Sequence, residues 1–484
     1  MSKMIHRRDA LKITGGAGLL FAISGTKSSG RILNANETVR VAVAGVNGRG
    51  SAHVGGFSDL ENVAVTTLID PDSRTFGKYT KLLTAKNGHA PKHVEDARKA
   101  LEDKDIDAIS IATPNHWHSL LTIWGCQAGK DVYVEKPMSH NVAEGRIAVE
   151  AARKYNRIVQ HGTQGRSLQA WADTLALIES GRLGKVLVSR GLCYKPRGSI
   201  GFKPVTPAPK EVNYDIWLGP APAQPHHANL VHYNWHWFWD FGNGDIGNQG
   251  VHQMDVARWM IPNATLPKSV MSVGGRFGYK DQGQTANSQV TVMDFGGPLL
   301  TFEVRGLKTD EFMGEKVGNI IHLEGGTIIG GKKWIPKGET KAQPLPSDVK
   351  GQRGPGGSDH FANFISAVRS RKQDQLNADI LEGHYSSACC HLANISYRLG
   401  KPVEFGSNNS PFGTVADGNE TFARMRDHLK DDNALSLEGL SYILGPSLNF
   451  DAKTEKFVNA PEADALLSRT SRQPYAVPTT LASL

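Results

Sequence analysis

Residues 38–50 read TVRVAVAGVNGRG and decide the fold of the first part of the chain. The apolar run over 38–46 is short, continuous and rich in β-branched residues, which predicts a parallel strand buried on both faces. It leads directly into a glycine-rich turn and then into a helical segment over 51–60. A second predicted strand over 63–69 ends on Asp70. Strand, glycine turn, helix and a following acidic residue together form the context of a dinucleotide-binding fingerprint.

The glycine-rich turn has the features of a phosphate-binding loop. Gly45 permits the tight turn after the strand, and Gly50 lets the helix pack closely against it. In the G-x-G-x-x-G register the middle position is Asn47, with Gly48 one place later, and asparagine tolerates left-handed backbone angles better than most residues. We therefore expect the loop from Gly45 to Gly50, Arg49 included, to bind a pyrophosphate at the helix N-terminus.

Two residues after the second strand bear on the choice of cofactor. The Asp70 carboxylate would accept hydrogen bonds from the adenosine ribose hydroxyls and would repel a 2′-phosphate, which favours NAD over NADP. Arg74, four residues further on, could offset that repulsion, so NADP stays open as the alternative.

The alternation of strands and helices continues beyond this unit. Strand-like runs over 106–112, 131–134 and 158–160 are separated by helical patterns over 119–128 and 142–155. This order predicts a doubly wound parallel sheet, in which functional loops follow the carboxyl ends of the strands. Those loops read TPNHWH, EKP and HGTQ. The loop residues that we expect to contact the cofactor are Thr113, Pro114, Asn115, His118, Glu135, Lys136 and Gln164.

The second half of the chain has a different pattern. Strand-like runs divided by glycine turns, with no long helix between them, lie over 269–277, 288–295, 299–304 and 319–323. Such an order favours antiparallel pairing. Segment 359–399 has helical spacing. The tail over 405–484 is rich in Asn, Ser and Pro and is interpreted only as a wrapping extension or an oligomer arm.

The first 35 residues resemble an export signal. HRRDALK over residues 6–12 precedes a mildly apolar stretch over 13–24, and Ala35 offers a cleavage site. A paired arginine before a weak apolar region is typical of the twin-arginine route, which exports folded proteins and therefore suits a protein that acquires a cofactor first. The alternative is a basic amphipathic helix, which several glycines disfavour because each costs a helix about 1 kcal/mol. We expect a periplasmic or otherwise extracytoplasmic protein.

The formal charge of +8 on the 484 residues invites a nucleic-acid interpretation. Removing residues 1–35 lowers the basic count from 55 to 49 and the acidic count from 47 to 46, which leaves +3. No block of consecutive Lys or Arg remains, so nucleic-acid binding loses its main support. No apolar run reaches the ~20 residues of a membrane span. A small-molecule partner is the expectation.

The histidines and cysteines do not predict a metal centre or a disulfide scaffold. The pairs His116/His118, His232/His236 and His384/His391 have no carboxylate or cysteine that completes a ligand set at standard spacing. The four cysteines are too few for a disulfide scaffold, and the adjacent Cys389 and Cys390 cannot bridge each other on a helix.

The motifs AGVNGRG, LIDPD, ATPNHWH, VEKP and GNQGVHQMD resemble those of the Gfo/Idh/MocA oxidoreductase family. The resemblance covers about residues 38 to 405, and EKP with G-x-H-x-x-D is far more specific than the glycine loop. It implies an N-terminal NAD(P)-binding Rossmann domain followed by a C-terminal α+β domain with a large, mostly antiparallel sheet. It also implies oxidation or reduction of a sugar, inositol or related polyol, and a homodimer or homotetramer.

With the resemblance, the domain prediction becomes a signal over 1–35, a Rossmann domain over 36–164, a substrate and oligomerisation domain over 165–404, and an extension over 405–484.

Hydride transfer from an alcohol carbon needs a group that accepts the hydroxyl proton. Lys136 of the EKP motif is the candidate that holds the substrate oxygen, against the alternative of a surface lysine paired with Glu135. His252 is the candidate acid/base, against the alternative of a satisfied structural histidine.

Three polar residues near His252 are further candidates for the substrate site. Asp255 lies three residues on, on the same helical face, and is expected to orient His252 or a substrate hydroxyl. The family usually has an acidic residue where this chain has Asn248, and Asp245 is a possible substitute. An amide binds a hydroxyl but cannot take its proton.

The segment YNWHWFWDF over residues 233–241 combines aromatic and polar groups. If it is extended, its tryptophans share one face, and aromatic faces stack on the apolar face of sugars. Tyr233, Trp235 and His236 are therefore candidate substrate-binding residues, with plain core packing as the equal alternative.

Three hypotheses follow for function. The first is an exported NAD(P)-dependent sugar or polyol oxidoreductase that retains and recycles its cofactor. The second is a glycosidase that uses the same cofactor transiently, by oxidation at C3, elimination, addition of water and reduction, with Tyr233, His236 or His252 as the base for the C2 proton. The third is a non-catalytic sugar-binding or scaffold protein, suggested by Asn47 and Asn248.

Overall fold

The computed structural model describes residues 37–484. The export signal predicted over residues 1–35 lies outside them and remains a prediction. Two sheets dominate the described chain, one of six strands and one of twelve.

The first sheet is entirely parallel and has the strand order β3-β2-β1-β4-β5-β6. Its strands are β1 (Val39–Ala44), β2 (Val63–Ile69), β3 (Lys92–Val94), β4 (Ala108–Ile111), β5 (Asp131–Val134) and β6 (Val159–His161). The helices between them are α1 (Gly50–Ser58), α2 (Gly77–Asn87), α3 (Ala97–Leu101), α4 (His118–Gln127) and α5 (Val142–Lys154). Apolar cores cover both faces of the sheet, which explains the continuous β-branched runs in its strands. This confirms the predicted Rossmann domain.

The second sheet has the order β14-β13-β12-β11-β7-β10-β9-β8-β16-β15, with β17 paired to β8 and to β18. All of its pairings are antiparallel except β7 with β10. Its strands are β7 (Val186–Tyr194), β8 (Ser269–Gly275), β9 (Ser288–Asp294), β10 (Leu299–Arg305), β11 (Val317–Leu323), β12 (Gly326–Ile329), β13 (Lys333–Pro336), β14 (Gln343–Pro344), β15 (Lys401–Glu404), β16 (Ser441–Leu444), β17 (Leu448–Asp451) and β18 (Lys456–Phe457). The large, mostly antiparallel sheet is therefore also confirmed.

Helices cover both faces of this sheet. The remaining helices of the described chain, not all of which lie on this sheet, are α6 (Gln169–Glu179), α7 (Tyr214–Leu218), α8 (Gly244–Gly247), α9 (Gly250–Trp259), α10 (His360–Ser370), α11 (Ile380–Arg398), α12 (Ala416–Asp427) and α13 (Pro461–Asp464). α9 and α11 pack on the face turned toward the Rossmann domain, and α12 packs on the other face against β9 and β10. α10 belongs to the Rossmann core, where Phe364 and Val368 are buried against β1 and β2.

The tail over 405–484 is part of the second domain and also wraps back to the first. β16 and β17 pair with β8 near one end of the large sheet. Beyond them, Tyr475 packs edge-on against Trp117 of the Rossmann domain at 5.4 Å between ring centroids. The chain therefore has no structural boundary at residue 405.

The helical character predicted over 359–399 is confirmed, but the extended form considered for 233–241 is not found. The helical segment over 359–399 is two helices, because Arg371 ends α10 in the left-handed region at φ 58°. The segment 233–241 is not extended, since residues Asn234–Trp237 form a 3₁₀ turn. Among residues 37–484, none of the helices combines the length and apolar character that crossing a membrane requires.

Candidate active site

A cleft of about 300 Å³ runs along the carboxyl ends of β1, β2, β4 and β5. Its opposite wall comes from the second domain, over residues 216–248. The predicted site residues that line it are Gly45, Asn47, Gly48, Arg49, Asp70, Thr113, Pro114, Asn115, His118, Glu135, Lys136, Tyr233, Trp235, His236 and Asn248. The predicted residues outside this lining are Gly50, Arg74, Gln164, Asp245, His252 and Asp255. The expected loops thus meet in one place, as the topology of a parallel sheet requires.

The glycine loop leaves room for a dinucleotide. Gly45 has φ +80°, and a Cβ there would lie 2.6 Å from the carbonyl oxygen of Ala112. A Cβ on Gly50 would lie 1.8 Å from the Gly45 carbonyl oxygen, whereas one on Gly48 would meet nothing within 4 Å. The buried Thr113 hydroxyl lines the cleft and has no hydrogen-bond partner among the described residues. This open cradle and free hydroxyl fit a bound NAD.

Asp70 is only 5% exposed and lies at the far end of the cleft from Lys136's loop. Its carboxylate accepts hydrogen bonds from the backbone N–H groups of Val46 (2.9 Å) and Asp72 (3.0 Å). Burial raises the pKa of Asp70, and these two N–H groups offset only part of that effect. The bond to Val46 fixes the glycine loop to the end of β2.

Arg74 takes a different partner from the one predicted. Its Nε donates to Asp72 Oδ1 at 2.8 Å, so the guanidinium is bound to a carboxylate and not directed at the cleft. Asp72 also accepts from His232 Nε2 at 2.8 Å, which joins the two domains beside the adenosine end of the cleft. Sequence reasoning missed both Asp72 and His232, although the acidic pair in the LIDPD motif was a visible signal.

Glu135 organises the base of the cleft. Its carboxylate accepts from Arg49 Nε (2.8 Å), His53 Nε2 (3.1 Å) and Gln164 Nε2 (3.1 Å). Burial would raise the pKa of Glu135, but His53 and Arg49 hold it well below its usual range, so it is ionised. Gln164 therefore reaches the site through Glu135. His53 was not predicted, because it lies one turn into a helix with no motif of its own.

Lys136 points away from Glu135 and toward the second domain. Its Nζ donates to the backbone carbonyl of Asn248 at 2.8 Å and lies 3.4 Å from the Asn248 side-chain oxygen. Burial lowers the pKa of Lys136, the charge of Glu135 offsets part of that effect, and the nearby Arg49 and Lys195 lower the pKa further. The alternative of a surface ion pair with Glu135 is not what the structure has.

His252 lies in the first turn of α9, and its imidazole has no hydrogen-bond partner within residues 37–484. Burial, followed by the charge of Lys136, lowers the pKa of His252 to about 3. The ring is therefore neutral near pH 7 and free to bind a hydroxyl.

Asp255 does not join this site. Its carboxylate is bound by Arg166 Nε at 2.9 Å and by the Ser386 hydroxyl at 2.7 Å, and it is 1% exposed. A buried carboxylate pairs with the nearest cation. For Asp255 that cation is Arg166, which lies in the loop after β6 and not in α9. The predicted role for Asp255 in substrate binding is corrected to a structural one.

Asp245 is buried and already paired. Arg197 Nη2 donates to it at 2.8 Å, and Arg197 Nη1 also donates to the Tyr233 hydroxyl at 3.2 Å. Burial raises the pKa of Asp245, and Arg197 offsets part of that effect. Asp245 thus holds Arg197 at the mouth of the cleft, a contact that the sequence did not predict.

The aromatic segment shapes the cleft as a turn. The His236 ring stacks on Trp235 with 3.6 Å between centroids, and both side chains are buried. Burial lowers the pKa of His236 to about 3. Tyr233 is 53% exposed at the mouth. The turn therefore supplies aromatic surface to the cleft, but not the alternating face that an extended strand would give.

Cysteine and metal chemistry have no visible place here. Cys126, Cys193, Cys389 and Cys390 are free and buried. Over residues 37–484 there is no group of three or more His, Cys, Asp or Glu side chains that could hold a metal ion.

Two family models match the chain in tandem. Residues 39–163 match "Oxidoreductase family, NAD-binding Rossmann fold", and residues 178–288 match "Oxidoreductase family, C-terminal alpha/beta domain". Both models are those of the Gfo/Idh/MocA oxidoreductase family, and each covers about a quarter of the chain. This confirms the predicted family and the NAD-binding nature of the first domain.

Curated relatives match parts of the chain. A scyllo-inositol 2-dehydrogenase (NAD(+)) of Bacillus subtilis is 35% identical over 20% of this chain and 28% of its own length. A levoglucosan dehydrogenase of Pseudarthrobacter phenanthrenivorans is 25% identical over 37% of this chain and 38% of its own. A glycosyl hydrolase family 109 protein of Shewanella baltica is 31% identical over 31% of this chain and 37% of its own. The matches thus span well under half the length of these relatives.

Solved structures show the same fold. The WlbA dehydrogenase from Bordetella pertussis, in complex with NADH and UDP-GlcNAcA, superposes with a TM-score of 0.54 at 18% identity, over 75% of this chain and 97% of its own. A levoglucosan dehydrogenase, in complex with NADH and levoglucosan, superposes with a TM-score of 0.54 at 16% identity, over 74% of this chain and 96% of its own.

Proposed function

We propose that this protein is an NAD-dependent oxidoreductase that acts on a hydroxyl group of a sugar or polyol. The observation that carries the proposal is that one cleft joins the glycine loop to the Lys136 amine, with the unpartnered His252 ring in the same neighbourhood. Relatives named as inositol and levoglucosan dehydrogenases support the substrate class.

In this proposal the bound dinucleotide supplies the hydride acceptor or donor, and the chain supplies the proton chemistry. Lys136 binds the substrate oxygen and accepts its proton, which the lowered pKa of the buried amine favours. The Asn248 carbonyl holds the Lys136 Nζ in place. The neutral His252 ring binds the same or the neighbouring hydroxyl and orients it.

Glu135 acts as a positioning residue. Its ionised carboxylate holds Arg49 of the glycine loop and Gln164 of the loop after β6. Because Lys136 follows Glu135 directly in the chain, fixing Glu135 also fixes the backbone from which the catalytic amine projects.

The proposal is tested by denaturing the purified protein and measuring released dinucleotide, then by adding NAD and a panel of sugars and polyols. The expected result is bound or bindable NAD and a change in nicotinamide absorbance with at least one compound. If no NAD is released on denaturation and added NAD does not bind, the proposal is wrong. Turnover unchanged by Lys136→Ala would instead support the non-catalytic alternative.

A second candidate is an NAD-dependent glycosidase. It is favoured by the relatives named glycosyl hydrolase family 109 proteins and by Tyr233 and His236 in the wall of the cleft, as candidate bases for the C2 proton. Release of a chromogenic aglycone without net NADH would favour it, whereas NADH consumption with a free ketose product would count against it.

We further propose that the protein is exported with its NAD retained and recycled, and that it forms a homodimer or homotetramer. Retention follows from the scarcity of NAD outside the cytoplasm. Cell fractionation of a tagged full-length chain, with Arg7 and Arg8 both changed to Lys as the control, tests export. Light scattering on the purified protein tests the oligomer.

A further inference from the structure

Three cations converge on the segment over 245–249, which comprises most of α8 and the turn that leads to α9. They are Lys136, which follows β5, and Lys195 and Arg197, which follow β7. Each is bound by a different residue of the segment: the Asn248 carbonyl binds Lys136 (2.8 Å), Gln249 Oε1 binds Lys195 (3.1 Å) and Asp245 Oδ1 binds Arg197 (2.8 Å). The two sheets thus deliver positive charge to the same end of the cleft.

Only one of these cations is neutralised. Arg197 pairs with Asp245, but within residues 37–484 neither the Lys136 nor the Lys195 ammonium lies within ion-pair distance of a carboxylate. Glu135, the other nearby acid, is already paired with Arg49 and His53. His236 and His252 are neutral near pH 7, since burial lowers the pKa of both to about 3. The Lys136 and Lys195 amino groups are therefore left without a carboxylate at ion-pair distance, and Lys195 carries the positive charge that lies furthest from neutralisation.

The two ammonium groups differ in what they can do. Lys136 is buried and is assigned to the reacting hydroxyl. Lys195 is exposed and bonds Gln249, the residue next to Asn248 of the cleft lining, and because this acceptor is a neutral amide oxygen, N–H groups remain for a ligand. Arg197 is committed to Asp245 and to the Tyr233 hydroxyl. Lys195 is therefore the cation that remains available for an anion.

We propose that the substrate carries an acidic group, a carboxylate or a phosphate, and that Lys195 binds it while Lys136 acts on a hydroxyl of the same molecule. The proposal rests on the function proposed above and narrows its substrate class to acidic sugars or polyols. An excess of positive charge at the end of a cleft attracts anions and raises their affinity, and a charge-assisted hydrogen bond is about twice as strong as a neutral one.

The test compares matched pairs of ligands on the NAD-loaded protein. Glucose, galactose and mannose are each compared with their uronates and their 6-phosphates, with binding followed by tryptophan fluorescence. Trp235 in the cleft wall is the reporter. At least one acidic sugar is expected to bind about tenfold or more tightly than its neutral parent, and the preference should shrink as salt is raised. The uronate and phosphate arms distinguish the two kinds of acid.

Lys195→Gln is expected to remove most of the preference and to leave the binding of neutral sugars unchanged. Lys203→Gln removes an exposed charge further along the chain, where the Lys203 backbone N–H binds Gln282 Oε1 (3.0 Å) and not the segment over 245–249, and should leave both unchanged. The proposal is overturned if no acidic sugar binds more tightly than its parent, or if Lys195→Gln keeps the preference.

The outcomes distinguish failure of the acidic-substrate inference from failure of the proposed function. Turnover of neutral sugars with NAD, without any preference for acids, would refute the acidic substrate alone. Failure to bind NAD at all would refute both.

Discussion

Replacing Gly45 by alanine tests the architecture of the cofactor site. Gly45 has φ +80°, a conformation that costs an L-residue about 1–2 kcal/mol. The new Cβ would also lie 2.6 Å from the Ala112 carbonyl oxygen and 2.7 Å from the Thr113 backbone nitrogen. Such overpacking typically costs about 1–3 kcal/mol, so we expect Gly45→Ala to lower the free energy of unfolding by about 2–5 kcal/mol.

The shift that relieves the clash must move Gly45 or the loop after β4, and both line the cleft. NAD affinity should therefore fall by at least about tenfold, since a change of 1.4 kcal/mol is already tenfold. Thermal unfolding and fluorescence titration with NAD measure the two effects.

Gly55→Ala is the matched control, because it lies in α1, meets nothing within 4 Å and does not line the cleft. It should stabilise the helix by about 0.5–1 kcal/mol and leave NAD affinity unchanged. A Gly45→Ala protein as stable and as NAD-competent as the unaltered one would refute the geometry of the loop.

The remaining predictions concern packing and pH. Asp255→Ala leaves Arg166 without its buried carboxylate partner and should lower the free energy of unfolding by about 3–5 kcal/mol in denaturant titration. Tyr475→Ala removes a side chain that is 2% exposed at the contact between tail and Rossmann domain, and should cost about 3–5 kcal/mol in the same assay. Glu455 accepts a hydrogen bond from His384 at 3.0 Å. Burial alone would raise the pKa of Glu455, but its partners lower this pKa from 4.5 to about 2. A depressed carboxyl pKa stabilises the fold above pH 4.5 and loses that contribution between pH 4.5 and 2, which thermal unfolding across that range measures.

Controls keep these predictions specific. Asp348→Ala breaks an exposed ion pair that solvent screens, and should leave the free energy of unfolding almost unchanged. Tyr475→Phe keeps the ring and should retain most of the stability. Glu455→Gln should flatten the stability profile between pH 4.5 and 2. Equal losses at Asp255 and Asp348, or an unchanged profile in Glu455→Gln, would contradict the buried contacts described above.

Sequence patterns predicted the parts of the fold that local rules determine. The bounds of β2 and β5 agree with the runs over 63–69 and 131–134, because a strand buried on both faces is a continuous apolar run between turn residues. The placement of the glycine loop, Asp70 and Lys136 in one cleft followed from the rule that loops at the carboxyl ends of parallel strands meet.

Long-range partners could not be predicted in this way. His53 and Glu135 are 82 residues apart, and Arg166 and Asp255 are 89 residues apart, so no spacing rule connects them. Helical spacing placed Asp255 beside His252, but a buried carboxylate follows the nearest cation.

The extended form considered for the aromatic segment over 233–241 is not found, for a related reason. Alternation over 233–241 predicts a strand only if backbone partners are available. Here the residues pack as a 3₁₀ turn against the Rossmann loops, with the His236 Nδ1 atom bonded to the Tyr233 carbonyl.

The most direct test of the central claim is the formation of reduced nicotinamide in a single turnover, with NAD-loaded protein and excess sugar, in the unaltered chain and in Lys136→Met. The account predicts about one NADH per chain from at least one sugar, with a rate that rises with pH as Lys136 loses its proton. It predicts that Lys136→Met, loaded to the same NAD occupancy as the unaltered chain, reacts at least about a hundredfold more slowly. Equal rates in the two proteins, at equal NAD occupancy, would contradict it.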